Sequence, residues 1–420
     1  MSPIALSSPR RRTSRPLAAL ALVAVLTAGG APACSSDSDG ATAPSTTAAG
    51  ATSTSKPAST GPAEAIVFNG QGNNLDAYAT TPDADGTFAT QRVFETVDTD
   101  PENGRDLNAQ LCFLPRTDDG EQWFIGGEDT GQDDPNRPPG WGIFRLDGDE
   151  VGQLEATQIG KLVPTFQPAN DNPENYGCGV LPDGRVLTTD VGNQASGSGD
   201  GQLIIWFPPL TGGEYPSFDD VAYCKLDVTL PTAQSILVGD EQVYVAAARG
   251  GVFAYDVTSF PTSSDAAGGC GAEDATGAPL DDEVARSTFI AAGDHGLATP
   301  AGLARTPDGG FYVSSVFTGV INEYDAGGAF VRTILQPPAG EAPGAEPLST
   351  GSPLGIGVDD AGTLYYADIG IVVSDDGVGP GDRTGSVRRI RFVDGEPQAP
   401  ETMAAPLDFP DGIGVWLPEG

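Results

Sequence analysis

The sequence contains a single histidine, two methionines and five cysteines in 420 residues. One histidine excludes a zinc site built from several histidines, because each zinc ion takes three or four protein ligands. The chain also lacks a Cys-x-x-Cys pair, a phosphate-binding glycine-rich loop and the turn that presents a nucleophilic serine in α/β-hydrolases. These absences exclude several common classes of enzyme.

Basic residues are scarce as well. The chain has 21 Lys and Arg against 58 Asp and Glu, which gives a formal net charge of −37. Such a charge repels phosphate groups, so we expect no nucleic-acid partner.

Long hydrophobic runs are nearly absent, and the one that stands out lies at the N-terminus. The run Leu17–Ala28 follows the basic stretch Arg10–Arg15 and precedes small residues and Cys34, an order that indicates an export signal. It is too short for a stable membrane span. The segment ending at Cys34 resembles a bacterial lipoprotein signal, which predicts a signal peptide over residues 1–33 and a lipidated Cys34. Cleavage after Ala31-Pro32-Ala33 is the alternative, and it would give a secreted protein.

Residues 34–63 consist mostly of Ser, Thr, Ala, Gly, Pro and Asp and contain no aromatic residue. Such a segment buries too little apolar surface to fold, so we predict a flexible linker. The folded domain over residues 64–420 would then be a monomer on the outer face of the cell membrane, touching it through the lipid anchor only.

Glycine and proline are abundant instead, with 57 and 36 copies, which favours a turn-rich all-β protein. A phrase with a small or polar residue, glycine and an aliphatic residue recurs about every sixty residues. Each phrase is followed by a turn and further strands. Its instances are Ala109-Gln110-Leu111, Cys178-Gly179-Val180, Gln234-Ser235-Ile236, Ala301-Gly302-Leu303, Leu354-Gly355-Ile356 and Asp411-Gly412-Ile413.

Four-stranded units repeated in this way predict a β-propeller. The last unit begins at Asp411, too close to the C-terminus for a complete blade, whereas residues 64–108 hold three strands that lack a unit of their own. We therefore predict a six-bladed propeller whose ring is closed by N-terminal outer strands and a C-terminal inner strand.

Three segments carry a family resemblance: 299–314, 353–368 and 409–413. They resemble the gluconolactonase-like (SMP-30) and NHL-repeat six-bladed propellers, most strongly over residues 296–417. The resemblance implies one divalent cation in the channel mouth, held by Glu, Asn and Asp and polarising a lactone carbonyl. Asp411 matches the family's motif, whereas Ala301 and Ala109 stand where the family has a metal-binding Asn and Glu.

Loops before the first strand of a blade and between its second and third strands gather at one channel mouth. Their carboxylates suit a hard cation, so Ca²⁺ is the predicted cofactor. The predicted metal ligands are Asp411, Asp190, Glu128 and Asp368, and the predicted ligand-binding residues are Arg249, His295, Asn193 and Asn108. The alternative is that these are solvated turn residues.

Four cysteines remain once Cys34 is assigned to the lipid, and pairing is expected in an oxidising compartment. We predict the disulfides Cys224–Cys270 and Cys112–Cys178. The alternative for Cys112 and Cys178 is a pair of buried free thiols.

Two functions follow from these features. The first is an exported propeller that binds a small ligand, a cation or a partner protein at its channel mouth without turning it over. The alternative is a divalent-metal-dependent hydrolase of a lactone or ester.

Overall fold

The computed structural model describes residues 64–71, 74–95, 107, 109–117, 119–127, 140–162, 175–191, 200–208, 221–263, 284, 286–375 and 377–418. The predicted signal peptide (1–33) and linker (34–63) lie outside these residues, as do Cys34, Asn108, Glu128, Asn193 and Cys270. Predictions about them stay predictions. None of the helical turns in the described part of the chain has the length and apolar character that crossing a membrane requires.

The strands follow one another blade by blade along the chain. Blade 1 begins with β1 (Ile66–Gln71), β2 (Asn74–Ala79) and β3 (Thr90–Glu95). Blade 2 has β4 (Leu111–Phe113), β5 (Gln122–Gly127), β6 (Trp141–Asp147) and β7 (Glu155–Leu162). Blade 3 has β8 (Asn175–Val180), β9 (Val186–Asp190), β10 (Asp200–Phe207) and β11 (Ala222–Pro231). Blade 4 has β12 (Ala233–Val238), β13 (Gln242–Ala247), β14 (Gly251–Asp256) and β15 (Arg286–Ala291).

Blade 5 has β16 (Pro300–Arg305), β17 (Phe311–Ser315), β18 (Val320–Tyr324) and β19 (Phe330–Leu335). Blade 6 begins with β20 (Pro353–Val358) and β21 (Leu364–Asp368), and a hairpin of β22 (Ile371–Ser374) and β23 (Gly377–Pro380) follows. The blade continues with β24 (Gly385–Ile390), a hairpin of β25 (Phe392–Val393) and β26 (Glu396–Pro397), and β27 (Glu401–Leu407). The last strand, β28 (Pro410–Trp416), returns to blade 1.

Six four-stranded antiparallel sheets form the blades. The inner strands are β28, β4, β8, β12, β16 and β20, and each contacts the next around a closed ring. In blade 1, β28 pairs with β1, with Ile66 opposite Trp416. The predicted six-bladed propeller and its closure by the C-terminal strand are confirmed.

The hydrophobic core is divided into layers between neighbouring blades. Each of the six interfaces holds one apolar cluster. Between blades 2 and 3, for example, the cluster contains the buried Trp123, Trp141 and Trp206. Both faces of each blade are therefore covered, which explains why second strands such as β5 and β9 are buried along their whole length.

A β-bulge recurs at the start of the inner strands and sets the register of the repeat. It lies between Pro300 and Leu303 in blade 5, and between Asn175 and Cys178 in blade 3. The residue equivalent to Gly302 is therefore Gly177, and the predicted phrase Cys178-Gly179-Val180 was two residues out of register. Gly179 misled the prediction because it also packs closely on the next blade, against Ile236.

Cys112 and Cys178 form a disulfide between the inner strands of blades 2 and 3, with 6.0 Å between their Cα atoms. This prediction is confirmed, and the free-thiol alternative is wrong. Cys224 is disulfide-bonded too, but its partner lies outside the described residues, so the pairing with Cys270 stays a prediction. Disulfides are typical of extracytoplasmic proteins.

Replacing both Cys112 and Cys178 by alanine is expected to lower the free energy of unfolding by about 3 kcal/mol, because the bond closes a loop in the unfolded chain. The two residues are 66 positions apart, so the restriction on the unfolded chain is large. Urea unfolding under non-reducing conditions measures the change. An unchanged midpoint and slope would show that the disulfide does not stabilise the ring.

Candidate binding site at the channel mouth

The channel mouth is formed by the residue that precedes the bulge position in each inner strand. These residues are Asp411, Ala109, Tyr176, Gln234, Ala301 and Leu354 in blades 1 to 6. The bulge position is glycine in blades 1, 3, 5 and 6, where a larger side chain would collide with the next inner strand. A Cβ on Gly412 would lie 2.0 Å from the Ala109 carbonyl oxygen, and one on Gly355 would lie 2.5 Å from the Asp411 carbonyl oxygen. Glycine at these positions therefore lets the inner strands close around the mouth.

Hydroxyl groups bridge neighbouring inner strands at the same level. Ser314 Oγ accepts a hydrogen bond from Gly302 N and donates one to Leu354 O, at 2.7 and 2.8 Å. Thr189 makes the same bridge from Gly177 N to Gln234 O, at 2.7 and 2.6 Å. These bridges fix the spacing of the blades where the mouth is formed.

Tyr176 and Asp411 meet at the mouth although they belong to blades 3 and 1. Only the small Ala109 of blade 2 stands between them, and Gln110 N donates to Tyr176 O at 2.7 Å. Burial raises the pKa of the Tyr176 phenol well above its usual value, and the nearby negative charge of Asp411 raises it further. The Tyr176 hydroxyl is therefore un-ionised. It interacts with the Asp411 carboxylate, although it makes no hydrogen bond of ordinary geometry.

An apolar cluster lies at the mouth between blades 3, 5 and 6. Tyr176 packs there with Ala301 and Leu354 from the inner strands of blades 5 and 6. The residues directly after the second strands of blades 3, 5 and 6 complete it, and the β22–β23 hairpin adds two more; they are Val191, Val316, Ile369, Ile371 and Val378. The mouth therefore combines an apolar wall with the polar Tyr176 and Asp411.

Asp368, a predicted metal ligand, holds the backbone of blade 6 in place. Its Oδ1 accepts from Ser352 N and Gly370 N, at 2.7 and 2.9 Å. Its Oδ2 accepts from Ser386 Oγ at 2.8 Å and lies 2.9 Å from Arg388 Nη2. The side chain is completely buried. The contacts of both oxygens tie the loop before β20 and the base of the β22–β23 hairpin to β24.

The other predicted residues that the structure describes belong to three different blades. Asp190 is buried at the end of β9, opposite Asn175. Arg249 is exposed in the turn between β13 and β14. The His295 ring stacks on Phe330 of β19, with 3.6 Å between ring centroids. Because β19 is the outermost strand of blade 5, His295 lies at the periphery of the propeller.

The described residues contain no group of three or more His, Cys, Asp or Glu side chains that could hold a metal ion. Asp190, Asp368 and Asp411 therefore do not converge as three ligands. Glu128, the fourth predicted ligand, lies outside the described residues. Calcium binding by the predicted set stays a prediction.

Buried oxygen atoms that lack a hydrogen-bond partner mark the mouth face of the propeller. Such atoms are costly and usually have a functional explanation or bind water. Apart from one oxygen of Asp411, those in the described residues fall into a group on blades 3 and 6 and a pair on blade 1. The first group consists of Tyr176 Oη, Gln202 Oε1, Thr350 Oγ1 and Ser352 Oγ, and the pair consists of Asn69 Oδ1 and Asn74 Oδ1.

None of the six residues in the group and the pair was among the predicted site residues. Tyr176 was not predicted, because its position beside Asp411 depends on closure of the ring. Asn69 and Asn74 carried a detectable signal, since polar residues two apart interrupt otherwise apolar strands in Asn69-Gly70-Gln71 and Asn74-Leu75-Asp76.

No protein-family model matches the sequence, and no curated protein matches it. Solved structures are similar in fold. The match to a chain of a nidogen/laminin complex covers 84% of this chain and 98% of that chain, at 12% sequence identity and a TM-score of 0.47. The match to the calcium-binding protein regucalcin from Agrobacterium tumefaciens covers 72% of this chain and 77% of that chain, at 14% sequence identity and a TM-score of 0.40. The match to virginiamycin B lyase from Staphylococcus aureus covers 78% of this chain and 85% of that chain, at 11% sequence identity and a TM-score of 0.36. These similarities concern the propeller fold and not the function.

Proposed function

We propose that this protein is an extracytoplasmic binding protein that holds a small molecule at its channel mouth. The observation that carries the proposal is the group of buried, unpartnered oxygens on blades 3 and 6, which stands beside an apolar wall. A concave, mostly apolar surface with a few polar groups is the usual form of a small-molecule site. A ligand that donates hydrogen bonds would satisfy these oxygens.

The chemistry of the mouth also limits the ligand. The Gln202 amide oxygen is an acceptor only, and the hydroxyls of Tyr176, Thr350 and Ser352 both donate and accept. Asp411 lies beside Tyr176, and the whole chain carries a net charge of −37. Anions are therefore disfavoured. The expected ligand is an uncharged molecule with hydroxyl or amino groups and an apolar side.

The setting of this domain is part of the proposal. A lipidated Cys34 and the linker over residues 34–63 would hold a monomeric propeller on the outer face of the membrane, where it meets small molecules but no nucleic acid. A secreted form, cleaved before Cys34, is the alternative.

Thermal melting with a panel of neutral sugars and polyols, each paired with its carboxylic acid, tests the proposed binding. At least one neutral compound is expected to raise the melting temperature saturably, and its acid is expected to have little effect. Tyr176→Phe should melt close to the unaltered protein when no ligand is present, because the hydroxyl makes no hydrogen bond of ordinary geometry and interacts only with the Asp411 carboxylate. The same substitution should weaken binding about tenfold, since it removes one hydrogen bond to the ligand.

Tyr312→Phe is the matched control, because Tyr312 is buried in β17 away from the mouth. Absence of any response across the neutral panel would contradict the proposal. If the protein instead hydrolyses a lactone or ester in a metal-dependent way, and Asp411→Ala abolishes this activity, the hydrolase function is supported and the binding function is contradicted.

A further inference from the structure

One face of the β1–β2 hairpin is polar at the end nearest the mouth. The strand register places Asn69 opposite Asp76, and it places Gln71 opposite Asn74. Residues two apart in a strand point to the same side, so all four side chains share one face. Further along the hairpin, the same face packs against blade 6. The polar side chains are therefore enclosed between blades 1 and 6.

Two amide oxygens on this face have no donor. Asn69 is fully buried, and its Nδ2 donates to Gly412 O at 2.8 Å, which identifies the other amide atom as the oxygen. That oxygen, Oδ1, is buried and makes no hydrogen bond. The Oδ1 atom of Asn74 is buried and unpartnered too. An amide oxygen is an acceptor only, so each of the two requires a donor or a cation.

Asp76 completes this set of oxygens. Its Oδ2 accepts from Gln71 Nε2 at 2.6 Å, and its Oδ1 lies 3.3 Å from Arg92 Nε. The Arg92 side chain is 49% exposed, whereas that of Asp76 is 9% exposed. Burial raises the pKa of the Asp76 carboxyl, and this effect outweighs the opposing charge of Arg92. The buried negative charge is therefore only partly compensated by the protein.

We propose that Asn69 Oδ1, Asn74 Oδ1 and the Asp76 carboxylate bind a calcium ion between blades 1 and 6, with water completing the coordination. Calcium takes six to eight oxygens from carboxylates, amides and water at about 2.3–2.6 Å. Asn69 and Asp76 are directly opposite, a position in which Cβ atoms lie about 5 Å apart, and Asn74 is the diagonal neighbour of Asn69, for which the separation is about 7–8 Å. Side chains at both separations can reach one ion from the same face of the hairpin. Magnesium fits less well, because it gives up its water reluctantly. This site is distinct from the small-molecule site and does not depend on it.

Calcium chloride titrated into the metal-free protein, at constant ionic strength, tests the site by calorimetry and thermal melting. We expect one binding event and a saturable rise in melting temperature of about 3–5 °C at a hundredfold excess over the Kd. Magnesium or sodium chloride should produce a smaller rise. Constant ionic strength removes the general screening that any salt exerts on an acidic protein.

Asn74→Ala is the decisive variant. Its amide oxygen has no partner to lose, so the metal-free variant should melt within about 1 °C of the unaltered protein. Its calcium affinity should fall about tenfold or more, a loss typical of removing a group that supports metal binding. Asp76→Asn should abolish the response, and Gln153→Ala, which removes an exposed amide, should leave it intact.

Three results would overturn the proposal. The first is the absence of any calcium response in the unaltered protein. The second is a response that survives in both Asn74→Ala and Asp76→Asn. The third is a response lost in Asp411→Ala but kept in Asn74→Ala, which would place the ion at the channel mouth. The first two leave the small-molecule site untouched, because that site is tested separately through Tyr176→Phe.

Discussion

A chain that ends at Phe409 is expected to lose cooperative folding altogether. The truncation removes β28, the inner strand of blade 1, and leaves β1 as an open edge facing the channel. Exposed strand edges invite pairing with other chains, so the truncated protein should also aggregate.

The size of this effect follows from what β28 buries. Trp416 packs against Phe68 and Phe113 and donates from Nε1 to Gln122 Oε1 at 3.2 Å. Ile413 packs on the other side, in the cluster between blades 6 and 1. Burial of each large side chain contributes about 1.5–3 kcal/mol, and the strand also supplies the backbone hydrogen bonds of the β1 pairing. The sum is comparable to the whole stability of a domain, about 5–15 kcal/mol.

Near-ultraviolet circular dichroism and urea unfolding measure the loss. A chain ending at Pro418 is the matched control, because it keeps all of β28, and it should unfold like the unaltered protein. A truncated chain with a single unfolding transition at the original midpoint would show that the ring does not need its closing strand.

Asp368→Asn is expected to lower the free energy of unfolding by about 4 kcal/mol, because it breaks a buried ion pair and leaves the Arg388 charge uncompensated. Asparagine has almost the same shape but brings an NH₂ group. One oxygen of Asp368 faces two backbone N–H groups and the other faces Ser386 and Arg388, so in either orientation the new donor meets donors.

Urea unfolding compares this variant with Asp360→Asn, which alters an exposed carboxylate in a turn of the same blade. The control should change stability by no more than about 0.5 kcal/mol. A metal ligand would behave in the opposite way, since removing a carboxylate from an empty cation site relieves repulsion. Unchanged or increased stability of Asp368→Asn would therefore contradict its structural role.

The fold could be predicted from the sequence because each blade repeats the same order of strands and turns. Every blade needs an inner strand that packs closely on its neighbour, a tight turn and a second strand buried on both faces. These requirements recur in the sequence at Ala301-Gly302-Leu303 and again at Leu354-Gly355-Ile356. The register of blade 3 was the exception, because Gly177 and Gly179 both approach blade 4 closely and either fits the pattern.

The candidate site could be predicted only in part. The position of Asp411 at the channel mouth was predicted because its motif lies in one short segment, and its role as a metal ligand stays a prediction. The role of Asp368 was not, because a carboxylate in a loop looks the same whether it binds a cation or accepts hydrogen bonds from Ser352 N and Gly370 N. Tyr176 was missed because its neighbours Ala301, Leu354 and Asp411 are distant in sequence.

The sequence alone, through the spacing of its turns and the position of its last strand, determined that this is a six-bladed ring closed by its two ends. It also predicted the disulfide between Cys112 and Cys178. Only the tertiary structure decided which polar groups are paired and which are left without partners. Closing the ring brings inner strands of different blades within contact distance, and those contacts determine whether a buried oxygen finds a donor.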